Sequence, residues 1–311
     1  MDAVRRFQEL VKLASPGIHM REGADMSALT SFRVGGIAQV LVEPADTGEI
    51  AACVRASTDA GITPIWFGAG TNVLVEGGHL HIAAVRFGER MSRVRTRGSE
   101  LELQCGAALS AAAEAALASG LTGFEFAHGI PGSAGGGVYM NAGAYGGCMG
   151  DVVIWSECVT PGGEVVRVDS REHEFSYRHS AFMDNGYIVA LTCVGLRSGD
   201  PAGIERTMAD LKSRRAQSQP LDLPSAGSTF KRPEKGYAAA LIESAGLKGA
   251  RIGGAMVSEK HAGFIVNTGG ASFEDITSLM RFVRQRVLDH SGILLEPEVR
   301  IIDREGRPWS F

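Results

Sequence analysis

The chain has 311 residues, 44% of them hydrophobic and 21% charged, the balance of a globular protein with a sizeable core and room for two or three domains. A formal net charge of −4 with no basic block argues against nucleic acid as a partner and leaves a local cationic pocket for a phosphorylated small molecule. Five scattered cysteines (Cys53, Cys105, Cys148, Cys158, Cys193), odd in number and never spaced Cys-x-x-Cys, fit a reducing compartment and exclude a disulfide framework or zinc site.

Residues 1–10 read as a charged amphipathic helix without the apolar core of a signal peptide. No apolar run approaches the roughly 18 residues of a membrane span, so a soluble, cytoplasmic protein is expected. Residues 38–42 and 64–67 read as strands flanking a helix that Asp46 opens, with Glu49 three residues on, and Gly61 closes. Further strands are expected at 81–87, 94–97 and 101–105, then an alanine-rich helix at 110–118 ending at Gly120. Residues 152–160 and 164–168 flank Pro161-Gly162-Gly163, a hairpin signal, and 187–196 is another strand.

Arg197-Ser198-Gly199-Asp200-Pro201 reads as a boundary, followed by a charged helix at 202–217. A long helix begins at Ser272, with Asp275 completing a capping pattern, and Gly292 stops it. Its apolar stripe is Ile276, Leu279, Met280, Val283 and Val287. Residues 298–303 form a last strand, expected to join a sheet made earlier. No repeat or low-complexity tract is present.

The densest glycine segment is 129–146, Gly-Ile-Pro-Gly-Ser-Ala-Gly-Gly-Gly-Val-Tyr-Met-Asn-Ala-Gly-Ala-Tyr-Gly. Its interleaved Ile, Val, Met and Tyr are foreign to a flexible linker, so an ordered loop is expected, its amides facing something large and anionic. Gly68-Ala69-Gly70-Thr71-Asn72 follows a strand and suits an anion-binding nest, although an ordinary tight turn would read the same. It is neither a Rossmann fingerprint nor a Walker loop. Two separate glycine loops suit a dinucleotide such as FAD.

Four further segments could carry chemistry. In Tyr177-Arg178-His179-Ser180 the guanidinium fork suits a carboxylate or phosphate, and a solvated Arg is the plainer reading. Pro224-Ser225-Ala226-Gly227-Ser228-Thr229-Phe230-Lys231-Arg232-Pro233 could hold a serine hydroxyl as a proton donor, or be only a loop. Lys260, beside glycines, could meet a phosphate or simply be exposed, and Glu298 could face a site or cap a sheet edge. His79 and His81 share one strand face without a third ligand nearby, so no metal is expected.

In this order and spacing the motifs resemble the UDP-N-acetylenolpyruvoylglucosamine reductase family, over about 280 residues from Thr30-Ser31-Phe32-Arg33 to Glu296-Pro297-Glu298-Val299-Arg300. The resemblance implies an α+β fold: a two-lobed FAD-binding region of the vanillyl-alcohol-oxidase (PCMH) type plus a C-terminal α+β substrate-binding domain. The lobes would span 1–88 and 89–200 and the substrate domain 201–296, with 297–311 returning to the first lobe. Non-covalent FAD would be reduced by NADPH. Flavin N5 would then give hydride to C3 of the enolpyruvyl substrate, completing UDP-N-acetylmuramate for the bacterial cell wall.

Arg178 and a protonated Glu298 match the family residues that stabilise the charge developing on the substrate carboxylate, and Ser228 matches its proton donor to C2. FAD would be held by Arg33, Gly68, Ala69, Gly70, Thr71 and Asn72 and by Gly132, Ser133, Gly135, Gly136, Asn141 and Gly143. The substrate would meet Tyr177, Lys260 and Arg232. No protein partner is implied.

Two departures stand out. Arg232 replaces the Asn that many relatives carry after Phe-Lys. Only 49 residues separate Arg178 from Ser228, too few for the extra capping segment of one branch, so the chain resembles the shorter second type. A flavin oxidase of the same superfamily would lack the Ser228, Lys260 and Glu298 segments. A silent flavin or nucleotide-sugar binder would not need Arg178, Ser228 and Glu298 intact.

Overall fold

The computed structural model describes residues 2–309, and the chain divides into two compact units. One comprises Met1–Glu22, Val40–Ala69 and Ala83–Arg215, the other Gly23–Gln39, Gly70–Ile82 and Ala216–Phe311. Met1 of the expected first helix, and Ser310 and Phe311 of the expected C-terminal return, lie outside the described residues.

In the first unit, helix Ala3–Ala14 is capped by Asp2 and runs four residues past the expected end, because Val11 is buried together with Val4 and Phe7. Helix Thr47–Ala60 forms as its capping signals require. The Asp46 carboxylate accepts from Glu49 N at 2.8 Å, and Gly61 leaves the helix at φ 69°. The Glu49 carboxylate reaches one residue further back than a standard capping box and accepts from Ala45 N at 2.7 Å. These helices share a core with Val40, Val42, Ala83 and Val85. Ile65–Phe67 lies parallel to 84–86, in the register Ile65 to Ala84.

A five-stranded antiparallel sheet completes this unit, in the order Val165–Asp169, Val153–Val159, Ile188–Gly195, Glu100–Gln104, Val94–Arg97. The Pro161-Gly162-Gly163 hairpin is present, with Gly163 at φ 79°. Helix Leu109–Ala118 buries Leu109, Ala112, Ala113 and Ala116 in a core shared with Leu101, Leu103 and Val194. The glycine-dense segment departs from expectation: it contains a helix, Ala134–Tyr139, and a short hairpin of Gly143–Ala144 with Gly147–Cys148. Its apolar residues explain why, since Ala134 and Val138 are fully buried in the same core.

In the second unit a three-stranded antiparallel sheet runs Arg251–Ile252, Ala255–Val257, Ile265–Asn267. Helix Phe273–Ser291 has the expected capping box, Ser272 with Asp275, and ends at Gly292 with φ 71°. The predicted stripe, Ile276, Leu279, Met280, Val283 and Val287, is 0% exposed and packs in a core with Ile242, Val257, Ile265 and Ile301. Helix Ala238–Ser244 escapes sequence reading, its seven residues being too few for a periodic signal. The last strand is Arg300–Ile302, shorter than expected at both ends, and lies parallel to Val73–Val75. Among the described residues no helix is long and apolar enough to cross a membrane.

Candidate active site

In the first unit the glycine loops meet at Gly68 and Ser133. A Cβ added at Gly68 would strike the Ser133 hydroxyl, so only glycine allows this approach. The Gly135 amide donates to Cys105 O at 2.8 Å and the Ala134 amide to Ala107 O at 2.8 Å. A Cβ on Gly135 would stand 2.7 Å from that of Cys105. Close packing, rather than a free amide, therefore accounts for glycine at 135. Gly136 differs: it is exposed, and only the Ser133 hydroxyl, at 3.4 Å, lies within 4 Å of where its Cβ would be. Its backbone borders open space.

The same segment leads to Arg178. Ser176 and His179 exchange backbone hydrogen bonds of 3.1 and 3.3 Å, closing a tight turn with Tyr177 and Arg178 at its tip. Arg178 has φ 55°, a left-handed conformation uncommon for a residue with a long side chain. Its Nη1 donates to Gly143 O at 3.5 Å, and its guanidinium carbon lies 5.5 Å from the Tyr177 ring centre. Tyr177 is exposed and Arg178 half-buried. Asn141 is buried, with Oδ1 accepting from Gly150 N at 2.9 Å and Nδ2 donating to Ser176 O at 2.8 Å.

In the second unit Gly70 sits at φ 65°, where a Cβ would collide with Leu29 O. Its carbonyl accepts from Ser31 N at 3.0 Å, and Ser31 Oγ donates to Ser225 O at 2.6 Å. Arg33 is exposed on a left-handed backbone, φ 54°, within a turn closed by its amide on Thr30 O at 3.1 Å. Asn72 Nδ2 donates to Glu298 O at 3.2 Å, and Asn72 O accepts from Arg300 N at 3.1 Å.

Residues 229–231 run antiparallel to 296–298. Glu298 N donates to Thr229 O at 2.9 Å, Lys231 N donates to Glu296 O at 2.8 Å, and Phe230 bridges Pro297. Glu298 therefore stands opposite Thr229, with Ser228 the next residue beyond the ladder's end, and Ser228 and Glu298 are both half-buried. Thr229 locks the ladder to the sheet: its amide donates to Gly263 O at 2.8 Å and its hydroxyl accepts from Ile265 N at 3.0 Å. Arg232 is drawn to its own loop, donating to Gly236 O at 3.3 Å with its guanidinium 4.2 Å from the Tyr237 ring centre. Lys260 is exposed, and its ammonium donates to Ala216 O at 2.5 Å.

The predicted residues thus group by unit: Gly68, Ser133, Gly135, Asn141, Gly143 and Arg178 in the first, and Arg33, Gly70, Asn72, Ser228 and Glu298 in the second. Ser31, Thr229 and Ser180 escaped sequence reasoning. Each lay inside a quoted motif, but nothing local marks a hydroxyl whose partner is distant in the chain. His79 and His81 share an exposed strand face. Among the described residues no group of three or more His, Cys, Asp or Glu could hold a metal.

The small residues fit a dinucleotide cofactor. Neither Gly68-Ala69-Gly70-Thr71-Asn72 nor 129–146 contains a carboxylate to repel a diphosphate, and Gly136 leaves backbone accessible beside open space. Residues 38–169 match the FAD binding domain family, and residues 219–302 match the family described as UDP-N-acetylenolpyruvoylglucosamine reductase, C-terminal domain. Fold and site therefore define an FAD flavoprotein oxidoreductase: a PCMH-type FAD-binding region with a second, C-terminal domain.

The chain is 42% identical to the UDP-N-acetylenolpyruvoylglucosamine reductase of Clostridium novyi over 281 residues, 90% of this chain and 91% of that one. It is 38% identical to that of Alkaliphilus oremlandii over 98% of this chain and all of the relative. The crystal structure of the corresponding reductase of Thermus caldophilus superposes with a TM-score of 0.77 at 30% identity, covering 91% of this chain and 98% of that one. The chain belongs to the UDP-N-acetylenolpyruvoylglucosamine reductase family. It is an enzyme of peptidoglycan precursor synthesis, with an FAD-binding domain and a nucleotide-sugar substrate.

Proposed function

We propose that the chain reduces UDP-N-acetylglucosamine enolpyruvate to UDP-N-acetylmuramate, with NADPH as electron donor and FAD held non-covalently, in the bacterial cytoplasm. Bound FAD would supply the hydride chemistry that links the nicotinamide to C3 of the enolpyruvyl group. The overall balance is one hydride from NADPH and one proton. The lobes at 1–88 and 89–200, with the return at 297–311, hold the flavin, and 201–296 receives the substrate. The flavin set is Arg33, Gly68, Ala69, Gly70, Thr71 and Asn72 with Gly132, Ser133, Gly136 and Gly143, while Gly135 packs against Cys105 behind them. Asn141 shapes that segment. Non-covalent binding is supported by the thiols: burial pushes Cys53 and Cys158 up to about 12, where they are protonated and poor nucleophiles.

Hydride arriving at C3 leaves negative charge at C2 that spreads into the adjacent carboxylate. Preorganised donors stabilise such charge strongly. Arg178 supplies a guanidinium fork, and Glu298 in its acid form adds a donor where a carboxylate would repel. The Ser228 hydroxyl gives its proton to C2. A serine is a weak acid, but the carbanion is a strong base, so placement matters more than acidity. Tyr177, Lys260 and Arg232 orient the nucleotide sugar, with Lys260 exchanging Ala216 O for the diphosphate.

The observation that supports this reading most is the ladder of 229–231 with 296–298, which joins the segments that carry Ser228 and Glu298, 70 positions apart in the chain. The test is anaerobic. NADPH should bleach the flavin absorbance, and the enolpyruvyl nucleotide should restore it with one product per flavin. Recovery only on admitting oxygen would instead indicate a flavin oxidase. Acid precipitation should leave all the FAD in the supernatant, and flavin on the washed pellet would overturn non-covalent binding.

A further inference from the structure

We infer that Asn141 is a positioning residue for Arg178, pinning the 176–179 turn to the segment that holds the flavin. The inference rests on the reading of Arg178 given above. Three hydrogen bonds join residues 139–143 to this turn and the residue after it. Asn141 Nδ2 donates to Ser176 O at 2.8 Å, Ser180 Oγ donates to Tyr139 O at 2.8 Å, and Arg178 Nη1 donates to Gly143 O at 3.5 Å.

Each feature of Asn141 fits this task. Its φ of 43° is left-handed, a region in which Asn is several-fold enriched. Its side chain is buried, and both ends of the amide are engaged, Oδ1 by Gly150 N and Nδ2 by Ser176 O. Those partners fix which end is oxygen and which nitrogen. Arg178 occupies the third position of its turn at φ 55°, where glycine or asparagine is usual, so the turn is strained and needs bonds from outside to hold it. Asn141 acts on the Ser176 carbonyl at the start of the turn, and Ser180 secures the chain just past its end.

The informative substitution is Asn141→Asp. It keeps a residue tolerant of left-handed backbone and an acceptor for Gly150 N, but sets a carboxylate oxygen against Ser176 O. In the flavin-loaded enzyme we expect the rate of flavin reoxidation by the enolpyruvyl nucleotide, relative to reduction by NADPH, to fall about 10- to 100-fold, the usual effect of displacing a reacting group by an ångström. Ser180→Ala, on the second tether, should shift the ratio the same way, which keeps the test decisive if Asn141→Asp folds poorly.

If Asn141 acts through Arg178, adding Asn141→Asp to Arg178→Lys should cost little beyond Arg178→Lys alone. Independent, multiplying losses would overturn the inference, as would equal losses in both half-reactions or loss of flavin in proportion to activity. Should Arg178→Lys itself leave reoxidation unchanged, the role of Arg178 falls and the inference with it. That result is distinct from one in which only Asn141→Asp and Ser180→Ala behave like the parent.

Discussion

At the scale of single residues, the proposed chemistry divides between two half-reactions, and this makes Ser228 and Glu298 separable. Flavin reduction needs no proton at C2, so Ser228→Ala should be reduced by NADPH at close to the parent rate. Its reoxidation by the enolpyruvyl nucleotide should slow about 10²–10⁴-fold, the weight of a positioned acid. Equal stopped-flow losses in both halves would make Ser228 structural. Glu298→Gln keeps a donor without charge, whereas Glu298→Ala removes both. Gln should therefore retain more reoxidation than Ala, and the alkaline fall in rate should weaken. Identical rates, with an unchanged pH profile, would reduce Glu298 to its backbone role in the ladder with Thr229. Arg178, Ser228 and Glu298 stood out as candidates in their motifs, and only the family resemblance gave them roles. Their hydrogen-bonded neighbours were not legible, because Asn72 and Glu298 are 226 positions apart and no local pattern pairs them.

At the scale of elements, caps and apolar stripes carry the stability of helix Phe273–Ser291. Ser272→Ala removes the acceptor for Asp275 N, a 3.0 Å bond, and should cost about 0.5–2 kcal/mol. Asp275→Ala should cost more, since that carboxylate accepts from both Ser272 N and Gly254 N. Those two backbone bonds hold its pKa below the ordinary 3.8. The contribution of Asp275 is thus complete above pH 3.8 and is lost as pH falls through the depressed value. Leu279→Ala, at a fully buried position, should cost about 2–5 kcal/mol through the cavity left behind. Denaturant midpoints order the three variants, and a Ser272→Ala loss exceeding that of Leu279→Ala would contradict the packing described. These elements were readable because a cap and a stripe are interactions within one helix. The helix Ala134–Tyr139 was not, because its glycines signal a loop and its burial depends on Leu103 and Val194, remote in the chain.

For the molecule as a whole, mild acid should weaken both units through one histidine each, buried His173 in the first and half-buried His261 in the second. His173 is 0% exposed, with Nδ1 against Asp169 O at 2.9 Å and Nε2 against Ser156 Oγ at 2.8 Å. The Asp169 carbonyl assigns a proton to Nδ1, and burial opposes adding a second one to the ring. Burial lowers the pKa of His173 from 6.5, and burial, with Lys248 adding to it, lowers that of His261. The folded chain therefore binds fewer protons than the unfolded one below pH 6.5, and the stability present above that pH is lost as it falls. Urea midpoints should drop between about pH 7.5 and about pH 5.5, and the drop should shrink in His173→Gln; a variant as acid-sensitive as the parent would remove His173 from the account. Sequence by itself determined the globular class, the helix caps, the stripe of the long helix and the motifs that mark the family, all of them properties of composition or of residues a few positions apart. Only the tertiary structure decided that the Ser228 segment pairs with the Glu298 segment, that Asn141 bonds to the turn carrying Arg178 and that the glycine-dense segment contains a helix. Each depends on bringing distant segments together, where packing and loop closure, rather than local preference, select the partner.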